Sequence, residues 1–212
     1  MRRLPVYIVL DTSGSMHGEP IEAVRQGMQV LVENLRQDPY ALETAWISVI
    51  TFSEEAQQVL PLTELVSFQP PILDVGGRTS LGAALELLAD RMDAEVHKAS
   101  GKKRGDWKPM VFLMSDGVPT DDFERGIERI KAAEAGVVVC CAAGPQASTE
   151  VLGRISENVV KLDAADFPYI KAFFKWVSSS ISSCSRRVDT QGPDAIALAD
   201  LPPPPSEWGA PK

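Results

Sequence analysis

Five side chains, scattered along this sequence, share one kind of chemistry. The stretch Asp11-Thr12-Ser13-Gly14-Ser15 closes an apolar run with a carboxylate and three hydroxyls. A second stretch, Gly76–Gly82 (GGRTSLG), brings Thr79 to the opening of a helical pattern. A third, Ser115–Asp122 (SDGVPTDD), follows another apolar run and supplies Asp116. Asp11, Ser13, Ser15, Thr79 and Asp116 offer hard oxygen donors only, which suit Mg²⁺, Mn²⁺ or Ca²⁺; no thiolate or imidazole cluster accompanies them, so zinc and copper fit poorly. Ser13 and Ser15 stand two apart, so in an extended loop their hydroxyls face the same way, and Gly14 lets that loop turn tightly. Two carboxylates balance one divalent ion and the hydroxyls add no charge. If some of the acids bind through water, the ion stays electrophilic and accepts one further oxygen, from an Asp or Glu of a protein partner.

Elements of two periods must position these groups. Val6–Leu10, Trp46–Phe52, Met110–Met114 and Val137–Ala142 are apolar on both faces, as strands are in a parallel sheet covered by helices. Between them run helical stripes. The first is Ile21, Val24, Met28, Leu31 and Leu35, with Pro20 as the first helical residue and Asp38-Pro39 as the stop. The second is Leu81, Ala84, Leu85, Leu88 and Met92, and the third Phe123, Ile127, Ile130 and Ala133, ending at Gly136. The last is Phe167, Ile170, Phe174, Val177 and Ile181, capped by Asp166 with Pro168 in its first turn. This alternation predicts an α/β fold: a doubly wound, mostly parallel central sheet with helices on both faces. Only Ser53-Glu54-Glu55 separates Trp46–Phe52 from Ala56–Leu60, too little for a crossover, so these two form an antiparallel hairpin with Ala56–Leu60 as a short edge strand. Val159–Leu162 closes the other edge. Open α/β sheets bind ligands at the carboxyl ends of their strands, and this topology brings the three polar loops to one such edge. Residues 1–184 read as one domain and 185–212, with the Pro202–Pro205 run, as a flexible proline-rich tail or a docking peptide anchored by Trp208.

Bulk properties narrow the function. The chain has 212 residues, 44% of them apolar and 24% charged, with a net charge of −8. That balance argues against nucleic-acid backbone binding, which needs a basic face. No apolar run approaches the roughly 20 residues that span a membrane, and the N-terminus lacks a signal-peptide pattern. The cysteines Cys140, Cys141 and Cys184 form no disulfide framework, so a reducing, cytoplasmic location is expected. Cys140 and Cys141 point to opposite strand faces and read as buried small side chains. Asp121 and Asp122 read as first-turn acids of the following helix. Thr79, besides its donor role, reads as an N-cap of a helix beginning near Ser80. His17 and His97 read as surface residues. Lys98–Lys108 is a basic island, either a solvated loop or a docking patch with Trp107 as apolar contact. Arg78, at the rim beside Thr79, is placed to pair with an acidic partner residue.

The order Asp11-Thr12-Ser13-Gly14-Ser15, then Thr79, then Ser115-Asp116-Gly117 resembles the metal-ion-dependent adhesion site (MIDAS) of von Willebrand factor A (VWA) domains, over residues 4 to about 182. The resemblance implies a Rossmann-like VWA fold and a divalent cation, Mg²⁺ first, held by Asp11, Ser13, Ser15, Thr79 and Asp116. It also implies a non-enzymatic protein-interaction module. VYIVLDTSGSM, GGRTSLGAAL and VFLMSDGVPTDD are further similar to the TerY type of bacterial VWA proteins associated with tellurite resistance. That likeness implies a cytoplasmic scaffold in a stress-signalling module with a Ser/Thr kinase and a PP2C-like phosphatase. Two rivals remain at this level. One is a Mg²⁺-dependent haloacid-dehalogenase-like phosphatase with Asp11 as nucleophile, Ser115 and Asp121 or Asp122 in support; its second Asp is missing, because Ser13 stands there. The other is a metal-independent structural adaptor. A serine hydrolase is a poorer fit, since Ser15 lies in no Gly-x-Ser-x-Gly elbow, and GGRTS lacks the lysine of a phosphate-binding loop.

Overall fold

The first strand, β1 (Leu4–Asp11), has every residue buried. Its side chains alternate between two cores: Leu4, Val6, Ile8 and Leu10 face one, Tyr7 and Val9 the other. A strand covered on both faces needs this uninterrupted apolar sequence. The computed structural model describes residues 2–101, 104–187, 196–205 and 208. After β1 come α1 (Glu19–Arg36), α2 (Pro39–Thr44), β2 (Ala45–Phe52), β3 (Ala56–Glu64) and α3 (Leu81–Glu95). Then follow β4 (Met110–Ser115), α4 (Glu124–Ala132), β5 (Val137–Ala143), α5 (Thr149–Ile155), β6 (Val159–Leu162) and α6 (Phe167–Ser185).

The six strands lie in the order β3-β2-β1-β4-β5-β6. All neighbouring pairs are parallel except β2 with β3. The doubly wound sheet with one antiparallel edge is therefore as the sequence predicts. The order reverses direction between β1 and β4, which makes their carboxyl ends the switch point where such sheets bind ligands. Helices α1 and α6 cover the face that takes Leu4, Val6 and Ile8; α3, α4 and α5 cover the face that takes Tyr7 and Val9. Cys140 and Cys141 fall in opposite cores, as their alternation requires.

Several details differ from the sequence reading. The edge strand β3 continues to Glu64, past Leu60, although Pro61 lies within it. An edge strand tolerates proline because one side needs no ladder partner. The β2–β3 register shifts around Val49, where Ser48 Oγ donates to the carbonyl of Leu60 at 2.9 Å. Asp38-Pro39 ends α1 but also begins α2: the Asp38 carboxylate accepts from Tyr40 N at 3.0 Å. Helix α5 has only two buried anchors, Leu152 and Ile155, too few for a periodic signal. Trp107 is 3% exposed, with the Arg2 guanidinium over its ring, so it is no docking contact; Lys102 and Lys103 of that island lie outside the described residues.

The described part of the proline-rich segment is seated on α6. Ile196, Leu201 and Trp208 are buried, and Trp176 Nε1 donates to the carbonyl of Pro202 at 2.9 Å. The Trp208 ring lies 6.1 Å from both Phe173 and Trp176. For these residues the expectation of a loose tail gives way to burial: Trp208 packs on the aromatic face of α6, and Ile196 and Leu201 are likewise withdrawn from water. Residues 188–195, 206–207 and 209–212 lie outside the description.

Candidate metal centre

Asp11 ends β1, and its carboxylate is held from two sides. One oxygen accepts from Ser13 N at 2.9 Å; the other accepts from Ser115 Oγ, the last residue of β4, at 2.6 Å. Asp11 is 0% exposed. The chain then makes a 3₁₀ turn, Gly14–Met16, with Met16 N donating to the carbonyl of Ser13 at 3.0 Å and the Met16 side chain fully buried beneath. This turn sets the Ser13 and Ser15 hydroxyls 3.1 Å apart, and Ser15 Oγ donates to Asp116 Oδ1 at 2.8 Å. Ser13 is buried, Asp116 half-buried and Ser15 exposed, so the cluster opens to solvent on one side.

Thr79 arrives from the loop before α3. It is bonded twice to Thr120: Thr79 N donates to Thr120 Oγ1 at 3.1 Å, and Thr120 N to the carbonyl of Thr79 at 2.9 Å. A Cβ built on Gly117 would lie 3.5 Å from Thr79 Oγ1 and 4.0 Å from Ser15 Oγ, so both hydroxyls converge over that glycine. The structure thus brings Asp11, Ser13, Ser15, Thr79 and Asp116 to one place. The loops are also joined through backbone. Gly14 N donates to the carbonyl of Gly77 at 3.1 Å, and Gly76 N to the carbonyl of Thr12 at 2.9 Å. Gly77 has φ +77° and a Cβ there would meet Glu54 N at 2.9 Å, so only glycine fits this close approach.

Burial sets the electrostatics of the two carboxylates. Burial pushes the Asp11 carboxyl above the ordinary carboxylate range; the hydrogen bonds from Ser115 and Ser13 pull it back in part, and the Asp116 charge pushes it further up. Burial also raises Asp116, against the hydrogen bond from Ser15. Neither carboxylate forms an ion pair among the described residues. A divalent cation among these oxygens would supply the counter-charge and favour both ionised forms. The set fits a hard ion: two carboxylates and three hydroxyls, and no group of three or more His, Cys, Asp or Glu among the described residues.

Two expectations need correction. Asp121 is not a first-turn acid of α4, which begins at Glu124. Its carboxylate instead caps α3 from outside, accepting from Gly82 N at 3.1 Å and Ala83 N at 3.0 Å. Thr79 is not the cap of that helix either: α3 begins at Leu81, and its free N–H groups are taken by Asp121. Asp122 accepts from Glu124 N at 3.1 Å, a local turn. Sequence reasoning left Ser115 out of the metal-binding set, giving it a supporting role only in the phosphatase rival, and overlooked Thr120. The β1–β4 register pairs Leu10 with Met114, which sets Asp11 beside Ser115; that signal lay in strand pairing, not in any motif. At the rim, Arg78 and His17 are exposed and Val118 is 56% exposed.

Comparison with known proteins agrees with this geometry. A profile of the von Willebrand factor type A domain matches residues 6–176. The fold is similar to a von Willebrand factor type A structure from Catenulispora acidiphila (19% identity, TM-score 0.65, covering 86% of this chain and 43% of that one). It is similar to the pilus adhesin SpaC from Lactobacillus rhamnosus GG (15%, TM-score 0.68, 87% and 31%). It is also similar to proximal thread matrix protein 1 of the mussel byssus in a structure whose MIDAS motif is occupied by zinc (18%, TM-score 0.61, 84% and 48%). This chain spans less than half the length of each of these proteins. No curated protein sequence matches it.

Proposed function

We propose, for a chain that belongs to the von Willebrand factor type A domain family, that it binds a protein partner through a divalent ion at the end of β1 and β4. Domains of this family are metal-dependent protein-interaction modules, and the proposal gives that role specific residues here. Ser13, Ser15 and Thr79 would hold the ion through their hydroxyls; Asp11 and Asp116 would balance its charge, directly or through water. The ion would supply a Lewis-acidic position for a partner's Asp or Glu. The observation that carries this reading is the convergence of two carboxylates and three hydroxyls at the ends of β1 and β4: Ser115 Oγ donates to Asp11, Ser15 Oγ donates to Asp116 and lies 3.1 Å from Ser13 Oγ, and neither carboxylate has an ion-pair partner among the described residues.

Mg²⁺ is the ion we favour, because the donors are hard oxygens and few are charged. The narrower assignment, a cytoplasmic scaffold of a bacterial tellurite-resistance module with a Ser/Thr kinase and a PP2C-like phosphatase, rests on the likeness of the three loop sequences to the TerY type. The phosphatase rival loses support in the geometry. Ser13 stands where that chemistry needs a second Asp, and Asp121 is committed to α3.

The test is calorimetric titration of chelator-stripped protein with Mg²⁺ and Mn²⁺, beside a Thr79→Ala control. One-to-one binding that is lost in the control is expected. Wild-type protein that takes up neither ion would overturn the metal-dependent reading and favour the structural adaptor, whose partner binding survives chelation.

A further inference from the structure

The proposed chelate balances itself: two carboxylates against one divalent ion. A partner carboxylate approaching that ion brings one extra negative charge to a half-buried place, where screening is weak. The surroundings do not help. Glu54, Glu55 and Asp74 line the cleft beside Thr12, and the Asp121 carboxylate sits at the start of α3, which follows Thr79 closely in sequence. Arg25 of α1 already bonds the carbonyl of Leu73 and pairs with Glu22.

Arg78 departs from this pattern. It is exposed and forms no hydrogen bond or ion pair among the described residues. Its backbone has no freedom to drift, because it is fixed between two anchored neighbours. Gly77 accepts from Gly14 N of the serine loop, and Thr79 is bonded twice to Thr120. A long cationic side chain is thus mounted next to a donor of the site and left unpaired on an acidic protein.

We propose that Arg78 selects the partner: its guanidinium would pair with an incoming carboxylate at the rim of the site and neutralise its charge. The inference rests on the metal-dependent reading above and deepens it. Planar guanidinium matches a carboxylate edge in a way that a neutral carbonyl or hydroxyl ligand does not reward. The site therefore discriminates acidic side chains from neutral oxygen donors such as Asn, Gln or Ser.

The probe is acetate on Mn²⁺-loaded protein, read by paramagnetic broadening of the acetate methyl resonance, with acetamide as the neutral control. Wild type, Arg78→Gln and Arg78→Lys are compared, and Mn²⁺ affinity is measured separately for each by calorimetry. Acetate affinity is expected to fall about three- to tenfold in Arg78→Gln, to fall less in Arg78→Lys, and to weaken with salt, at unchanged Mn²⁺ affinity. Equal acetate binding by wild type and Arg78→Gln overturns the role of Arg78 while leaving the metal site standing. A matching loss of Mn²⁺ affinity in Arg78→Gln also overturns it, since the residue then only shapes its loop. Failure of wild type to bind Mn²⁺ at all overturns the metal-dependent reading itself, and this inference with it.

Discussion

Replacing Asp11 by asparagine is expected to make the metal-free protein more stable, while abolishing its response to metal. Asp11 is fully buried beside the half-buried Asp116, and burial raises both carboxyls above their ordinary value. Asparagine keeps the geometry: its Oδ1 accepts from Ser13 N, and its amide N–H donates to Ser115 Oγ, at the positions now 2.9 and 2.6 Å from the carboxylate. The hydrogen bonds lose their charge assistance, but an uncompensated buried charge disappears. A net gain of about 1 kcal/mol follows, the scale of relieving one functional strain. In a chain of this size that is about 2–4 °C in Tm. The pH dependence fixes the sign. A carboxyl raised in the folded state makes the folded protein bind protons more readily than the unfolded chain. Its favourable contribution is therefore full below the ordinary value of 3.8 and is lost as pH rises through the folded-state value. The advantage of Asp11→Asn over wild type is thus expected at neutral pH and should shrink on acidification. With Mg²⁺ at about 100 times its dissociation constant, wild type gains about 2.7 kcal/mol and the variant nothing. Differential scanning calorimetry in chelator and in Mg²⁺, from pH 7 downward, measures all of this. A variant that melts below wild type in chelator at pH 7 would refute the charge argument.

Two further outcomes test the framework around the site. A Cβ at Gly82 would lie 2.5 Å from the carbonyl oxygen of Asp122 and 2.8 Å from Phe123 Cα, both backbone, so Gly82→Ala should cost about 2–3 kcal/mol in urea unfolding; an unchanged midpoint contradicts the tight α3–α4 contact. Trp208 is 4% exposed against Phe173 and Trp176, so Trp208→Ala should raise protease cleavage of the segment after α6 by about tenfold or more, with little change in the melting of the sheet; equal cleavage rates would show that the aromatic seat does not hold it.

The fold was legible where apolar periodicity is long. The four buried runs became β1, β2, β4 and β5, and three residues between Phe52 and Ala56 were enough to dictate the antiparallel edge. Short elements were not legible: α5 shows two buried anchors, and α2 opens on a proline that also reads as a stop. At the site, the five candidate donors were picked out by chemistry and spacing, and the structure brings them to one place. Their supports were not picked out. Ser115 reaches Asp11 through strand register, Thr120 reaches Thr79 across two loops, and Asp121 caps a helix 39 residues back in sequence. Each is an ordinary residue in an ordinary turn until the chain is folded. The seating of Trp208 on α6 was hidden for a related reason: a proline run announces extended backbone but says nothing about the aromatic face that receives it.

The double stitching of Gly76–Thr79, to Thr12 and Gly14 on one side and to Thr120 on the other, has an evolutionary corollary. The three loops cannot diverge one at a time, because a change of backbone in any of them is transmitted to the other two. Arg78 and Val118 stand outside this lattice, their side chains bonded to nothing in it. Exchanging these two rim side chains should therefore leave the backbone stitching of the three loops intact.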